Sequence, residues 1–338
     1  MRRVGSVAIL LAALAVAGTA APDTDRIWFC PGPGTLDYLR LFQHPEEWRH
    51  ARELVDVFKF YQGHTQPTNT LFAPNTYDAL VNANAFRAIK SWHKKLAIEV
   101  GAVKEFYCTP DASGMNEAIQ NALASVRAVQ AAGGSVDYLA MDDPFANGRA
   151  AVCGGPALEP TADRIAIWVR GVQDAVPADH IGLIEAYPFS SAAAIESMLG
   201  LLADRGVTPA FLHMDVDLKA VRSPQNDFTT DMRRLRDACR ARHVPFGIIM
   251  WGENPDADAL YALDAGRLVD ATAAAFGTWD DMPDQLIVQS WAQTRSGLWI
   301  TPNNLPEDRQ FSHTNLLWGF YRRLHGETGP ASGTAVRR

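Results

Sequence analysis

Past its first two dozen residues the chain repeats one rhythm, short apolar runs alternating with longer stretches of helical period. The runs are Ile27 to Cys30, Val55 to Tyr61, Leu96 to Ala102, Val136 to Asp142, Ile181 to Tyr187, Ala210 to Asp217, Phe246 to Trp251 and Gln285 to Trp291. Near-continuous apolar character is what a strand covered on both faces requires, so each run predicts a buried parallel strand. Between them, Met115 to Ala132, Thr161 to Ala175, Ala192 to Arg205 and Phe228 to His243 carry helical patterns. In the last, Met232, Leu235, Ala238 and Cys239 fall on one face. Gly133-Gly134, Pro177, Gly206 and Pro245 stand where a helix ends and the next strand begins.

Strands alternating with helices in this way select a closed parallel (β/α)8 barrel, the TIM barrel, as a single domain over residues 22–325. An open doubly wound sheet competes with it, but would carry a phosphate-binding turn after its first strand. Cys30-Pro31-Gly32-Pro33-Gly34 lacks the G-x-G-x-x-G spacing. Neither a P-loop nor a G-x-S-x-G elbow occurs.

The N-terminus adds a compartment. Arg2 and Arg3 precede an apolar run from Val7 to Gly18 and the small residues Thr19-Ala20-Ala21. This is the pattern of a secretory signal peptide over residues 1–21, too short to span a bilayer comfortably. The mature chain is expected to be secreted or periplasmic, free of the membrane after cleavage. Residues 326–338 are small, polar and basic, and predict a disordered tail.

Charge then narrows the partners. The formal net charge is −7 and no Lys/Arg-rich run occurs, which argues against nucleic acid and anionic membranes. The four cysteines, Cys30, Cys108, Cys153 and Cys239, include no C-x-x-C pair, so no thiolate zinc site is expected. In an exported protein a Cys108–Cys153 disulfide is favoured, because the two fall in loops after adjacent strands. Cys239 lies in a helical stretch and reads as buried. A monomer is expected, with no cofactor and no metal in the first reading.

Barrel chemistry sits at the C-terminal strand ends, and these ends are polar. They carry Lys59 and Tyr61, Glu99, Asp142-Asp143, Glu185 and Tyr187, His213, Asp215 and Asp217, Trp251 and Glu253, and Trp291. Alternation along a strand puts His213, Asp215 and Asp217 on one face, expected to be the barrel interior. Lys59 and Glu99, on neighbouring strands, are placed to pair. Asp143 before Pro144 can instead cap the following segment. Converging acids repel one another unless they bind cations or do acid/base work.

Two carboxylates across a pocket are what glycoside hydrolysis needs, one protonated and one ionised. The expected catalytic groups are Asp142 as nucleophile or base and Asp215 as proton donor, with Glu185 and Glu253 as substitutes. Lys59, Tyr61, Glu99, Asp143, Tyr187, His213, Asp217, Trp251 and Trp291 are expected to bind sugar hydroxyls and ring faces. The arrangement resembles the barrel glycoside hydrolases. Val136 to Asp142 is similar to the fourth-strand segment of the α-galactosidase-like clan, although Ala140-Met141 stand where that clan usually has a lysine close before the aspartate. The resemblance implies a nucleophilic role for Asp142 and an acid/base role for Asp215 or Asp217. Trp251-Gly252-Glu253 resembles instead the seventh-strand end of the other large clan. Two further readings stay open: a metal-dependent hydrolase, deacetylase or sugar isomerase using Glu185, His213, Asp215, Asp217 and Glu253, and a non-catalytic carbohydrate-binding barrel.

Overall fold

In the computed structural model, which describes residues 25–102, 112–148, 157–277 and 281–324, eight parallel strands close into a barrel in sequence order. They are β1 (Ile27–Cys30), β2 (Val57–Tyr61), β3 (Lys95–Val100), β4 (Tyr138–Asp142), β5 (Ile181–Tyr187), β6 (Leu212–Val216), β7 (Phe246–Met250) and β8 (Gln285–Gln289). Closure comes from β8 pairing with β1, Cys30 lying opposite Gln289. The fold is therefore a TIM barrel in a single domain.

Helices cover the outside. After β1 come α1 (Arg40–Gln43) and α2 (Arg49–Leu54), and after β2 come α3 (Tyr77–Asn82) and α4 (Ala85–Ser91). The third crossover carries α5 (Ala112–Ala131), and the fourth α6 (Pro144–Gly148) and α7 (Leu158–Val172). The remaining four strands are followed by α8 (Ala192–Ala203), then α9 (Leu218–Val221) with α10 (Phe228–Arg240), α11 (Asp258–Phe276) and α12 (His313–Leu324). Met232, Leu235, Ala238 and Cys239 of α10 are all buried, as their spacing predicts.

Two cores result. The larger fills the layer between sheet and helices; the smaller lies inside the barrel and contains Trp28, Val57, Ala97, Ala140, Ile184, Phe211, Ile249 and Ile287. Seven strands place one residue each in that inner plug, and Phe211, immediately before β6, supplies the eighth, as a packed barrel centre requires. At the N-terminal end, aspartates just before strands set the register. Asp56 accepts the amides of Arg26 and Ile27, Asp137 that of Leu96 and Asp284 that of Phe246, all at 2.8–2.9 Å. Each thereby occupies an N–H that the neighbouring strand would otherwise leave unpaired.

Among the described residues no helix is long and apolar enough to cross a membrane. Residues 1–24 and 325–338, where a signal peptide and a disordered tail are expected from the sequence, lie outside the described residues, as do Cys108 and Cys153. Cys30 and Cys239 are free and buried.

Candidate active site at the barrel mouth

The inner plug fixes which side chains reach the mouth. Side chains two residues further along a strand share its face. Counting two from the plug gives Cys30, Lys59, Glu99, Asp142, Ala186, His213 and Gln289, with Trp251 just past β7; counting four reaches Tyr61 and Asp215 within their strands, with Trp291 just past β8. The mouth is thus walled by acids on β3, β4 and β6 and by aromatics at the ends of β7 and β8.

Lys59 is fully buried, and its Nζ donates to Glu99 Oε2 at 2.5 Å. The same oxygen accepts from Gln289 Nε2 at 2.9 Å, which also reaches Tyr61 Oη at 3.1 Å. Tyr61 in turn donates to Ser290 O at 2.7 Å, so its ring bridges β2 to β8 above Cys30. Burial pushes the Cys30 thiol far above its usual range despite the nearby Lys59 charge, so the thiol stays protonated.

On the other side stand Asp142 and Asp215. Both are partly exposed, and β5 separates their strands. Asp215 is held well above the ordinary carboxylate range, first by burial and then by the charges of Asp143, Asp142 and Glu99, with Lys59 opposing. Two carboxyls whose environments push their pKa values apart are the split that acid/base catalysis uses.

Other expected site residues lie elsewhere. Glu185 and Tyr187 sit one position out of phase with the plug residue Ile184 and face the helix layer. Glu185 accepts from Phe145 N at 2.8 Å and Ala146 N at 3.2 Å, capping α6. Burial and the Asp143 charge push it well above its usual range. Tyr187 donates to Asp231 Oδ2 at 2.7 Å behind the sheet, away from any ligand in the mouth. His213 does point inward, but below the mouth, stacked on Phe211 with centroids 4.1 Å apart and edge-on to Trp28. Its Nε2 meets Gln285 Oε1 at 2.7 Å, and burial drives its basicity well below the usual range, so the ring is neutral.

Glu253 works between loops. It accepts from Leu218 N at 2.7 Å and pairs with Lys219 Nζ at 3.3 Å, joining the connections after β6 and β7. Burial and a hydrogen bond with Asp217 raise it, while Asp217 Oδ1 accepts from Lys219 N at 2.7 Å. The five residues of the metal reading are therefore dispersed over the helix layer, the barrel centre, the mouth and a loop junction. Among the described residues no group of three His, Cys, Asp or Glu side chains could hold a metal ion.

Trp251 and Trp291 stack on each other with centroids 4.2 Å apart, and Trp251 Nε1 donates to Val216 O at 3.0 Å. Each has one face occupied by the other, so a ring stacked there would use an outer face. No family model and no curated protein matches this chain. Among solved structures, a morphinone reductase in complex with tetrahydroNAD is similar at 14% identity and a TM-score of 0.46, over 78% of this chain and 82% of that one. An apo β-glucosidase, 1317, is similar at 12% identity and a TM-score of 0.41, over 75% and 78%. The assignment of the barrel rests on the strand pairing itself.

Gln289, Gln285 and Cys30 line the interior but were not singled out as site residues in the sequence. Their signal was phase: each lies two positions from a plug residue of its own strand.

Proposed function

We propose that the chain is a glycoside hydrolase acting on a poly- or oligosaccharide, with Asp215 as proton donor and Asp142 as the ionised nucleophile or base. The observation that carries this reading is the placement of Asp215 and Asp142 on inward positions of β6 and β4, with burial and the surrounding carboxylate charges raising the pKa of Asp215. In glycosidic cleavage the protonated acid donates to the leaving oxygen while the carboxylate attacks the anomeric carbon or activates water. The Lys59–Glu99–Gln289 group presents a fixed polar wall for sugar hydroxyls, and the outer faces of Trp251 and Trp291 suit the apolar face of a sugar ring. Exposed Leu36, Leu71, Phe189 and Leu298 in loops leaving the C-terminal strand ends add apolar surface around the mouth. On this reading the protein is exported, monomeric and independent of any cofactor.

The test is release of reducing sugar by the purified mature protein from a panel of bacterial and plant polysaccharides, with and without chelator. Release that survives chelation and is lost in Asp142→Asn supports the proposal. Release abolished by chelator alone replaces it with metal-dependent chemistry. Sugar binding without turnover, unchanged in Asp142→Asn, replaces it with a binding protein.

A further inference from the structure

Beyond its polar wall the mouth continues as an apolar shelf, built from the connections after β1, β2 and β8. The three meet at one junction. Gly34 N donates to Trp299 O at 2.9 Å, and the Phe72 ring stands edge-on to Trp299 with centroids 5.3 Å apart. Phe72 also packs on Tyr61 of the mouth, at 5.7 Å, so the shelf starts where the polar wall ends. Leu36, Leu71, Leu298 and Ile300 lie within two residues of this junction and are 82%, 58%, 51% and 39% exposed. An exposed leucine by itself signals nothing. Large aliphatic side chains gathered from three connections form the kind of patch that takes a ligand or a partner.

Buried side chains hold the shelf from beneath. His64 Nε2 and Asn75 Nδ2 both donate to Pro33 O, at 3.2 and 3.0 Å, and Asn75 Nδ2 also reaches Thr35 O at 2.8 Å. Asn304 Nδ2 donates to Thr35 Oγ1 at 2.6 Å, which ties the eighth connection to the first. Gly34 permits the close approach, since a Cβ there would stand 3.0 Å from Trp299 O. A surface fixed in this way has little freedom left to lose on binding. Its chemistry is also one-sided. Residues 31–36, 62–76 and 291–304 carry a single charged side chain, Arg295, in a chain where one residue in five is charged. Outside the Lys59–Glu99 pair, the charges of the mouth stand across the barrel, on Asp142 and Asp215 and on Lys219 and Glu253 beyond them.

We propose that this shelf holds the alkyl chain of an amphiphilic glycoside whose sugar lies in the mouth. Residue type and placement favour that occupant. Branched aliphatic side chains offer a sugar ring no flat face and a hydroxyl no partner, whereas they match a hydrocarbon chain. A surface made to lie on an anionic membrane carries a basic rim, and Arg295 alone supplies none. The shelf runs through Phe72 and Tyr61 directly into the mouth, so one molecule can occupy both. A second copy of the chain seated there would cover the entrance. The sugar half of the proposal rests on the glycosidase reading, and narrows its substrate to an oligosaccharide that carries an alkyl chain. The affinity of the shelf for such a chain does not rest on it.

The test is a chain-length series. Binding of 1-hexanol, 1-heptanol and 1-octanol, and of hexyl, octyl and decyl maltosides below their micelle concentrations, is followed by methyl NMR of Leu36, Leu71, Leu298 and Ile300. Full burial of a methylene tightens binding about fourfold, so contact on one side is expected to give about twofold per methylene. In Leu36→Ser/Leu298→Ser, which replaces exposed side chains and leaves the core untouched, the dependence on chain length is expected to flatten in both series. Binding that is independent of chain length in the wild type overturns the proposal, as does a dependence unchanged in the double variant. A dimer in sedimentation that the double variant abolishes overturns it by giving the shelf to a second copy. Flotation with phosphatidylcholine vesicles that the double variant abolishes overturns it by giving the shelf to a lipid surface. Should the wild type cleave no glycoside, the alcohol series still tests the shelf while the glycosidase reading fails separately.

Discussion

Lys59 and Glu99 offer the sharpest energetic test of the barrel interior. The ammonium has no solvent exposure, the carboxylate 9%, and 2.5 Å separates Nζ from Oε2. Replacing one partner of a buried pair leaves the other charge in a medium that solvates it poorly, at a cost of about 3–5 kcal/mol. Lys59→Met keeps the length and apolar stem of the side chain, so its effect isolates the charge. Glu99 retains the Gln289 amide at 2.9 Å and opens to the mouth, which puts Lys59→Met near the lower end, about 3 kcal/mol. Glu99→Gln strands the fully enclosed ammonium and is expected at the upper end. The double variant Lys59→Met/Glu99→Gln removes both charges, and the cycle is expected to return a coupling of about 2–3 kcal/mol. Urea unfolding at neutral pH measures all four proteins, with the slope held common if the unfolded states are alike. A loss under about 0.5 kcal/mol for Lys59→Met, or strict additivity in the double variant, refutes the reasoning, because it means water reaches the pair freely.

Asp215 binds its proton more tightly in the folded chain than at its ordinary 3.8, so its contribution to stability is complete below that value and is lost as pH rises through the folded-state value. Asp215→Asn is therefore expected to exceed the wild type in urea midpoint at pH 8 and to lose that advantage toward pH 3; a variant weaker at every pH contradicts this. His64 runs the other way. Burial lowers it from 6.5 to about 4, so the stability it supplies is present above 6.5 and drains away as pH falls toward 4. His64→Phe, set among Tyr38, Phe60 and Phe72, should flatten the stability curve across that window, and an unchanged slope argues against a neutral His64. Glu253→Ala unties the loops after β6 and β7 without touching Asp142 or Asp215, so KM should rise with kcat nearly unchanged; a loss confined to kcat would place Glu253 in the chemistry.

The strands were legible because a barrel strand is buried on both faces and reads as an unbroken apolar run. β1 and β5 begin and end where the pattern puts them, while β2 and β4 start two residues later than read, at Val57 and Tyr138. There the leading apolar residues, Val55 and Val136, precede Asp56 and Asp137, whose side chains clasp the neighbouring strand instead of continuing the ladder. The mouth was only partly legible, since a run apolar on both faces hides its own phase. On β5, Glu185 and Tyr187 look like a catalytic strand end, yet the inner positions are Ile184 and the small Ala186. What placed Glu185 outside was the unfilled amide pair of α6, a requirement of the fold that no spacing in β5 announces. His213 was in phase but two residues too deep, which becomes visible once Phe211 is known to be its partner in the plug.

The role proposed for Asp215, protonating a leaving group, is exposed by substrates that need no such proton. A glycoside with a dinitrophenyl leaving group departs without a proton, whereas a natural glycosidic oxygen needs one. The measurement is kcat/KM of wild type and Asp215→Asn on both kinds of substrate sharing one sugar. Asp215→Asn is expected to lose activity on the natural linkage by about 100-fold or more while cleaving the activated glycoside at close to the wild-type rate. Equal losses on both substrates, or none on either, would contradict it and remove Asp215 from the role of acid.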